Sequence, residues 1–282
     1  MDEVNSFLER VLAVVVVYER PLPNTPTWKS LTEELKGLRS KMSILVYDNS
    51  FAPQPVPFCE FSDSHYQHDA ANHGVSVAYN FGYQKAVELK KEWLMLLDQD
   101  THLAHGALMK YYEALQTHPS EILFAPILAD QVGIVSPFVY RRGGGVRIKA
   151  VVESSIPIRK YKVVNSGILV KASAFNSVGG YEQSLPLDFS DLAFLEKISR
   201  ITENIVVVKA ECLVEFSGSL NMSKEESQDR FVYYAEGAHS FSVMINNRFW
   251  LFIRSFARAI KLTIRYRSID FLMTHAKSWH YQ

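Results

Sequence analysis

The run Val11-Leu-Ala-Val-Val-Val-Val17 is apolar at every position and rich in β-branched residues. It predicts a strand buried on both faces rather than an amphipathic helix. Tyr18-Glu-Arg-Pro-Leu-Pro23 stops it, and a helical stretch follows over about 27–40. Ser43-Ile-Leu-Val-Tyr47 predicts a second buried strand, ending in Asp48-Asn-Ser50, and the three prolines of 51–57 make a loop. A short strand is expected near Tyr66, a polar turn over 72–74, and a helix over about 77–90. Trp93-Leu-Met-Leu-Leu97 predicts another buried strand, ending in Asp98-Gln-Asp100. Strands and helices alternating in this way mean βαβ units and a parallel sheet.

Beyond residue 100 the pattern predicts a helix over 106–116 and a strand over 122–128. A strand pair is expected over 134–152, interrupted by Arg141-Arg-Gly-Gly-Gly145. Val163–Lys171 reads as a strand carrying Asn165-Ser-Gly167 within it. Short helices are expected over 172–178, closed by Gly179-Gly180, and over 191–201, with a strand at 205–208. No internal repeat or low-complexity tract interrupts the pattern.

Composition narrows the class. The 282 residues are 48% hydrophobic and 21% charged, values of a globular chain with a sizeable core. Thirty basic residues balance thirty acidic ones, so no whole-molecule field attracts nucleic acid, and no nucleic-acid partner is expected. Two cysteines, Cys59 and Cys212, build no disulfide framework and suit a reducing compartment, hence a cytoplasmic location. The start carries Asp2 and Glu3, and the apolar run 11–17 is too short to span a bilayer.

In an open parallel sheet, ligands bind beyond the carboxyl ends of the strands. Here those ends carry Tyr18-Glu-Arg20, Asp48-Asn-Ser50 and Asp98-Gln-Asp100. If the chain stays extended through residue 100, both carboxylates of Asp98 and Asp100 point to one face, roughly 7 Å apart. Two such like charges repel unless a cation sits between them, and oxygen-only ligands suit Mg²⁺ or Mn²⁺. The other reading makes Asp98 and Asp100 caps of the helix near Gly106. The chain has no G-x-G-x-x-G after its first strand and no G-x-x-x-x-G-K-[ST], which argues against a dehydrogenase or P-loop NTPase. Gly143-Gly-Gly145 after two arginines reads as a hairpin tip or a phosphate cradle.

Asp48-Asn-Ser50, Asn72-x-Gly74-x-x-x-Ala78-x-Asn80-x-Gly82, Leu97-Asp-Gln-Asp100, Asn165-Ser-Gly-Ile168, Phe175-x-x-Val-Gly-Gly-Tyr181 and Leu187-Asp-Phe-Ser-Asp191 occur in that order. Over about 10–220 the chain thereby resembles the family 2 glycosyltransferases of the GT-A fold, in particular their rhamnosyltransferase-like branch. The resemblance implies a Rossmann-like α/β domain over 1–220 with a mostly parallel central sheet. Its nucleotide-binding half is about 10–100 and its acceptor half about 101–220. A helical extension over 221–282 follows.

The resemblance implies an inverting transfer from a nucleoside diphosphate sugar to an acceptor hydroxyl in surface polysaccharide synthesis, with dTDP-rhamnose as the donor the branch suggests. Tyr18, Asp48, Asn80, Gly82 and Asp98 match nucleotide-sugar-binding positions. Asp100, with Asp98, matches the ligand of a divalent cation (Mg or Mn). Asp191 matches the catalytic base, and Asn165, Ser166, Gly167 and Asp188 match the acceptor side. Turn formation by Asp48, helix capping by Asn80, Asp188 or Ser190, and a helix-dipole role for Asp191 remain the structural alternatives. Where the family often carries a metal-binding histidine, Val214-Glu-Phe-Ser-Gly218 places Glu215. Glutamate is a competent oxygen ligand, and equally a sign of a silent nucleotide- or glycan-binding relative. A nucleotidyltransferase would show a Gly-rich signature after the first strand, where this chain has Tyr18-Glu-Arg-Pro21.

The segment 241–267 holds six basic residues and no acidic one. At helical spacing Arg254, Arg258, Lys261 and Arg265 fall opposite Phe249, Ile253, Phe256, Ile260 and Ile264. Two readings stand: a helix packed on the core with a solvated basic face, or a peripheral contact with an anionic bilayer at the inner face of a membrane. The second fits a lipid-linked glycan acceptor.

Overall fold

The structure, a computed structural model, describes residues 2–151, 154–215 and 222–280. The chain runs α1 (Asp2–Glu9), β1 (Val11–Val17), α2 (Pro26–Leu38), β2 (Met42–Asp48), β3 (Ser62–His68), α3 (Val75–Glu88) and β4 (Trp93–Asp98). It continues through β5 (Thr101–His102), α4 (Ala107–Thr117), β6 (Leu123–Asp130), β7 (Gly133–Ser136), β8 (Phe138–Arg141) and β9 (Gly144–Arg147). Next come β10 (Ser155–Pro157), β11 (Tyr161–Lys162), β12 (Ile168–Lys171), α5 (Ala172–Ser177), α6 (Ser190–Ile198) and β13 (Asn204–Val214). Three helices finish it: α7 (Lys224–Met244), α8 (Arg248–Tyr266) and α9 (Asp270–His280).

The main sheet is ordered β10-β13-β6-β12-β4-β1-β2-β3, and β11-β8-β9 form a small second sheet. The β4-β1-β2-β3 half is wholly parallel, while β12 runs antiparallel to both β4 and β6. Alternation along β1 explains its unbroken apolar sequence. Val11, Ala13, Val15 and Val17 enter the core layer under α1, α2 and α4, whereas Leu12, Val14 and Val16 enter the layer under α3, α5 and α6.

Several expectations are corrected. Strand β4 ends at Asp98, and Gln99 and Asp100 form a turn, so the two acids do not share one extended face. The expected strand 163–171 begins only at Ile168, because Gly167 sits at φ 85°, which breaks the extended run. The strand expected at 205–208 runs on to Val214, where it pairs with β5. The pair expected over 134–152 is β7, β8 and β9, and its Val152 end lies outside the described residues. The basic segment is two helices rather than one, broken where Asn246 adopts φ 50°.

Candidate active site

Register fixes where the acids stand. Asp48 lies opposite Val17 on one side of β1, and Asp98 lies opposite Val16 on the other. Both carboxylates therefore flank the carboxyl end of the central strand. Tyr18 follows that end and is 52% exposed. Its backbone N–H donates to Gln99 Oε1 at 2.9 Å and its carbonyl accepts from Gln99 Nε2 at 3.2 Å. The Glu19 N–H donates to Ser50 Oγ at 2.8 Å, and the Glu19 carboxylate accepts from the Phe51 N–H at 2.8 Å. Gln99, Glu19 and Ser50 thus tie the three strand ends together, a role that no sequence pattern marks.

Asp48 is fully buried. It accepts from the Ser50 N–H (3.0 Å), Gln54 Nε2 (3.2 Å) and the Tyr66 hydroxyl (2.6 Å). Burial alone raises its carboxyl, but these donors outweigh burial and hold it below the usual carboxylate range. Its Asx-turn bond to Ser50 is the turn-forming alternative realised.

Asp98 and Asp100 are different, because they have few donors. Asp98 Oδ1 accepts from the Tyr79 hydroxyl at 2.7 Å, and its backbone N–H donates to Ser166 Oγ at 3.0 Å. Burial raises the Asp98 carboxyl against that one hydrogen bond. Burial also pushes Asp100 up to about 7, with the Asp98 charge adding to it and Arg20 opposing. Neither acid caps α4, whose first N–H groups at Gly106 and Leu108 donate instead to Glu34. Glu215 donates its backbone N–H to the Asp100 carbonyl at 3.0 Å, while its side chain pairs with Arg20 at 3.2 Å. Among the described residues no three His, Cys, Asp or Glu side chains converge on a metal position. Two desolvated, mutually repelling carboxylates nevertheless fit the protein's share of a Mg²⁺ or Mn²⁺ shell, which substrate phosphate and water complete. Residues 216–218, part of the segment where the family's histidine falls, lie outside the described residues.

Asn80 and Gly82, on α3, serve packing. The Asn80 side chain pairs with both backbone groups of Tyr181, at 2.8 and 2.9 Å. A Cβ at Gly82 would lie 2.5 Å from Val14 Cγ2, so the glycine lets α3 close onto β1.

In the half after residue 100, Asn165 Oδ1 accepts from the Tyr181 hydroxyl at 2.7 Å, and Ser190 Oγ donates to the Leu187 carbonyl at 2.9 Å. Gly167 donates to the Leu96 carbonyl at 2.7 Å, and a Cβ there would strike Pro126 at 2.4 Å. This close turn brings Ser166 under Asp98. Asp188 makes a two-pronged pair with Arg230 of α7, not a helix cap.

Asp191, in the first turn of α6, faces a cavity of about 520 Å³ walled by Phe138, Tyr140, Phe189, Tyr234, Arg254 and Arg258. Burial pushes its carboxyl up to about 7; the Leu192 N–H, at 2.7 Å, works against this, and the Asp188 and Asp98 charges add to it. The hairpin glycines complete the wall. Arg254 Nε donates to the Arg142 carbonyl at 2.6 Å, and its guanidinium lies where a Cβ at Gly144 would be. Arg258 stacks 4.0 Å over the Tyr234 ring. Sequence reading missed that α7 and α8 wall this cavity through Tyr234, Arg254 and Arg258, because no local signal links those residues to Asp191.

A mostly parallel central sheet, extended by antiparallel β12 and followed by helices, is the architecture of the GT-A glycosyltransferases. Staphylococcus aureus TarS 1–349 in complex with UDP-GlcNAc matches at TM-score 0.54 and 12% identity, over 95% of this chain and 79% of that one. GalNAc-T7 with UDP, GalNAc and Mn²⁺ matches at TM-score 0.52 and 11% identity, over 95% of this chain and 56% of that one. In sequence, the dTDP-rhamnosyl transferase RfbF of Shigella flexneri is 24% identical over 185 residues, which is 64% of this chain and 60% of the relative. The chain thus spans less than two thirds of that relative's length. No protein-family model matches the sequence. Together the sequence and structural likenesses support the resemblance to family 2 glycosyltransferases.

Proposed function

We propose that the chain transfers a sugar from a nucleoside diphosphate donor to an acceptor hydroxyl, with Asp191 as general base. The observation that carries this reading is Asp191 itself: a carboxyl held near 7, opening onto a cavity and sensing the Asp98 charge at the strand ends. A hydroxyl is a poor nucleophile at neutral pH, and a base with pKa near the working pH takes its proton most effectively as the new bond forms. One base and one displacement at the anomeric carbon give inversion, by the geometric logic of one-step glycosidases.

Asp98 and Asp100 would hold a divalent cation, which when bound supplies neutralising charge to the leaving diphosphate. Tyr79 and Ser166 orient Asp98 through its side chain and its backbone. Tyr18, at the exposed strand end, is placed to meet the base or ribose. The donor dTDP-rhamnose is favoured by what RfbF is named for, and surface polysaccharide by the family resemblance.

In this reading 1–220 carry the two halves of the transferase and 221–282 the helices that roof the acceptor cavity. A lipid-linked glycan fits as acceptor, because α8 turns its apolar side outward beside that cavity. The protein then works at the inner face of a membrane. Among the described residues no helix is long and apolar enough to cross one.

A thermal-shift screen of nucleoside diphosphates with Mn²⁺ or Mg²⁺, followed by measurement of nucleotide release from the matching sugar donor, tests this reading. Cation-dependent stabilisation with turnover is expected. Stabilisation without release in the presence of phosphorylated and unphosphorylated glycan acceptors would make the chain a silent binder, the reading favoured by Glu215 being tied to Arg20. No stabilisation by any nucleotide removes the donor site.

A further inference from the structure

A second cavity, of about 420 Å³, adjoins the acceptor cavity, and Tyr140 lines both. Its walls carry five cationic side chains, Arg141, Arg142, Arg159, Lys162 and Arg200, and a single carboxylate, Glu196. The cations come from separate elements: β8 and its turn, the β10–β11 connection, β11, and the end of α6. Folding has therefore gathered like charges that the chain keeps apart.

Their pairing is poor. Among the described residues the only ion pair in this cluster is Lys162 Nζ to Glu196 Oε2 at 3.6 Å, beyond hydrogen-bond range. Arg142 lies over the Trp250 ring, and among the described residues no carboxylate forms an ion pair with it, with Arg141, Arg159 or Arg200. Lys162 is only 5% exposed, and burial and the neighbouring Arg159 draw its ammonium below the usual lysine range, with Glu196 opposing. Lys162 is the buried member, with one distant carboxylate, and the exposed guanidinium groups ringed around it add positive charge that an anion in the cavity would offset. The cations line a concave cavity rather than a flat face, with Lys162 at its enclosed side. Phe241 and Ile245 form the apolar part of the wall.

We propose that this cavity binds a phosphate or diphosphate group borne by the acceptor, holding it while the acceptor hydroxyl lies against Asp191 in the adjoining cavity. The acceptor part of this proposal rests on the transferase reading; the anion site does not. Planar guanidinium groups arranged around one ammonium match the several oxygens of such a group, and the position beyond Tyr140 separates it from the donor diphosphate near Asp98 and Asp100.

Titration calorimetry of the full chain with inorganic pyrophosphate tests the site. EDTA is present, so that the strand-end acids repel the anion. The wild type is expected to bind with an affinity that falls as salt rises. The double variant Arg159→Gln/Arg200→Gln, both exposed and outside the core, is expected to lose tenfold or more with an unchanged melting temperature. Asp191→Asn is expected to bind pyrophosphate as the wild type does even though it cannot transfer, which separates this site from the catalytic reading. A second arm distinguishes the source of the group. Co-sedimentation with vesicles containing a polyprenyl diphosphate, lost in the double variant, assigns it to a lipid carrier. Pyrophosphate binding without a vesicle effect assigns it to a soluble phosphorylated acceptor. Identical pyrophosphate titrations of wild type and double variant overturn the proposal.

Discussion

The Tyr79 hydroxyl donates to Asp98 Oδ1 over 2.7 Å from the buried side of α3, so the scaffold fixes one oxygen of the acid that ends β4. That bond favours the charged carboxylate against its burial. Tyr79→Phe removes it and leaves the packing. Mn²⁺-dependent nucleotide binding is expected to weaken about tenfold, the worth of a hydrogen bond to a charged group, roughly 1.5 kcal/mol. Calorimetry checks this, and an unchanged Kd would remove Asp98 from the donor site.

Asp100 carries a stability signature. Its native carboxyl keeps its proton up to about 7, while in the unfolded chain it ionises near 3.8. The native state binds more protons between those values, so stability falls as pH rises through this window and stays lowered above it. Asp100→Asn escapes the penalty. In EDTA at pH 8 it is expected to melt about 2–4 °C above wild type, the shift produced by about 1 kcal/mol in a chain of this size, with the gap closing towards pH 4. Mn²⁺ should reverse the order by stabilising only the wild type. A Tm difference independent of pH would show that the acid is solvated.

Asp191 sets the pH dependence of turnover. As a base pushed up to about 7 it is protonated and inactive below that pH and competent above it, so kcat/KM should rise with pH and level off past 7. Asp191→Asn is expected to lower kcat by 10²–10⁴-fold, the range for a positioned base, with nucleotide-induced thermal stabilisation retained. A variant that keeps wild-type turnover would exclude Asp191 from the chemistry.

The parallel half of the fold was legible because its signals are local. Runs such as Val11–Val17 and Trp93–Leu97 can only be buried strands, and acids at their ends fall at the sheet edge by topology alone. The half after residue 100 was less so. Apart from β6 and β13 its strands are two to four residues long, too short for periodicity to register, and Gly167 turns the chain inside an apolar run. Side-chain contacts across long sequence separations left no trace at all. The clamp of Gln99 on Tyr18 spans 81 residues, and the Asp188–Arg230 pair spans 42. The orientation of α8 was equally hidden, since a helical wheel shows two faces without saying which one the core takes.

Gly82 separates scaffold from site. Its missing Cβ is what lets α3 approach Val14, so Gly82→Ala overpacks the layer between helix and sheet. A loss of about 1–3 kcal/mol is expected in chemical denaturation. The folded fraction should bind nucleotide with wild-type affinity, because the residue faces β1. A variant of unchanged stability with weakened nucleotide binding would return Gly82 to the donor site.

Helix α8 buries its small or apolar residues Leu251, Ser255 and Ala259 and gives Arg254 and Arg258 to the cavity that Asp191 faces. Of the two arrangements expected, the one with the apolar face inward and the basic face solvated is therefore not adopted: Phe249, Ile253, Phe256, Ile260 and Ile264 are exposed, the first and last by 65% and 72%. This ridge, with exposed Arg248, Lys261 and Arg267 and no acid on the helix, complements an anionic bilayer surface. Phe249→Ser/Ile264→Ser alters side chains that support no core, so the melting temperature should hold. Each large apolar side chain is worth roughly 1.5–3 kcal/mol when fully withdrawn from water, so partial insertion of the pair still supports a loss of about tenfold or more in flotation with anionic liposomes. High salt should weaken wild-type flotation as well, through screening of the flanking cations. Equal flotation of both proteins would exclude the ridge as an anchor. A dimer in sedimentation, dissolved by the same substitutions, would assign the ridge to a second copy of the chain instead.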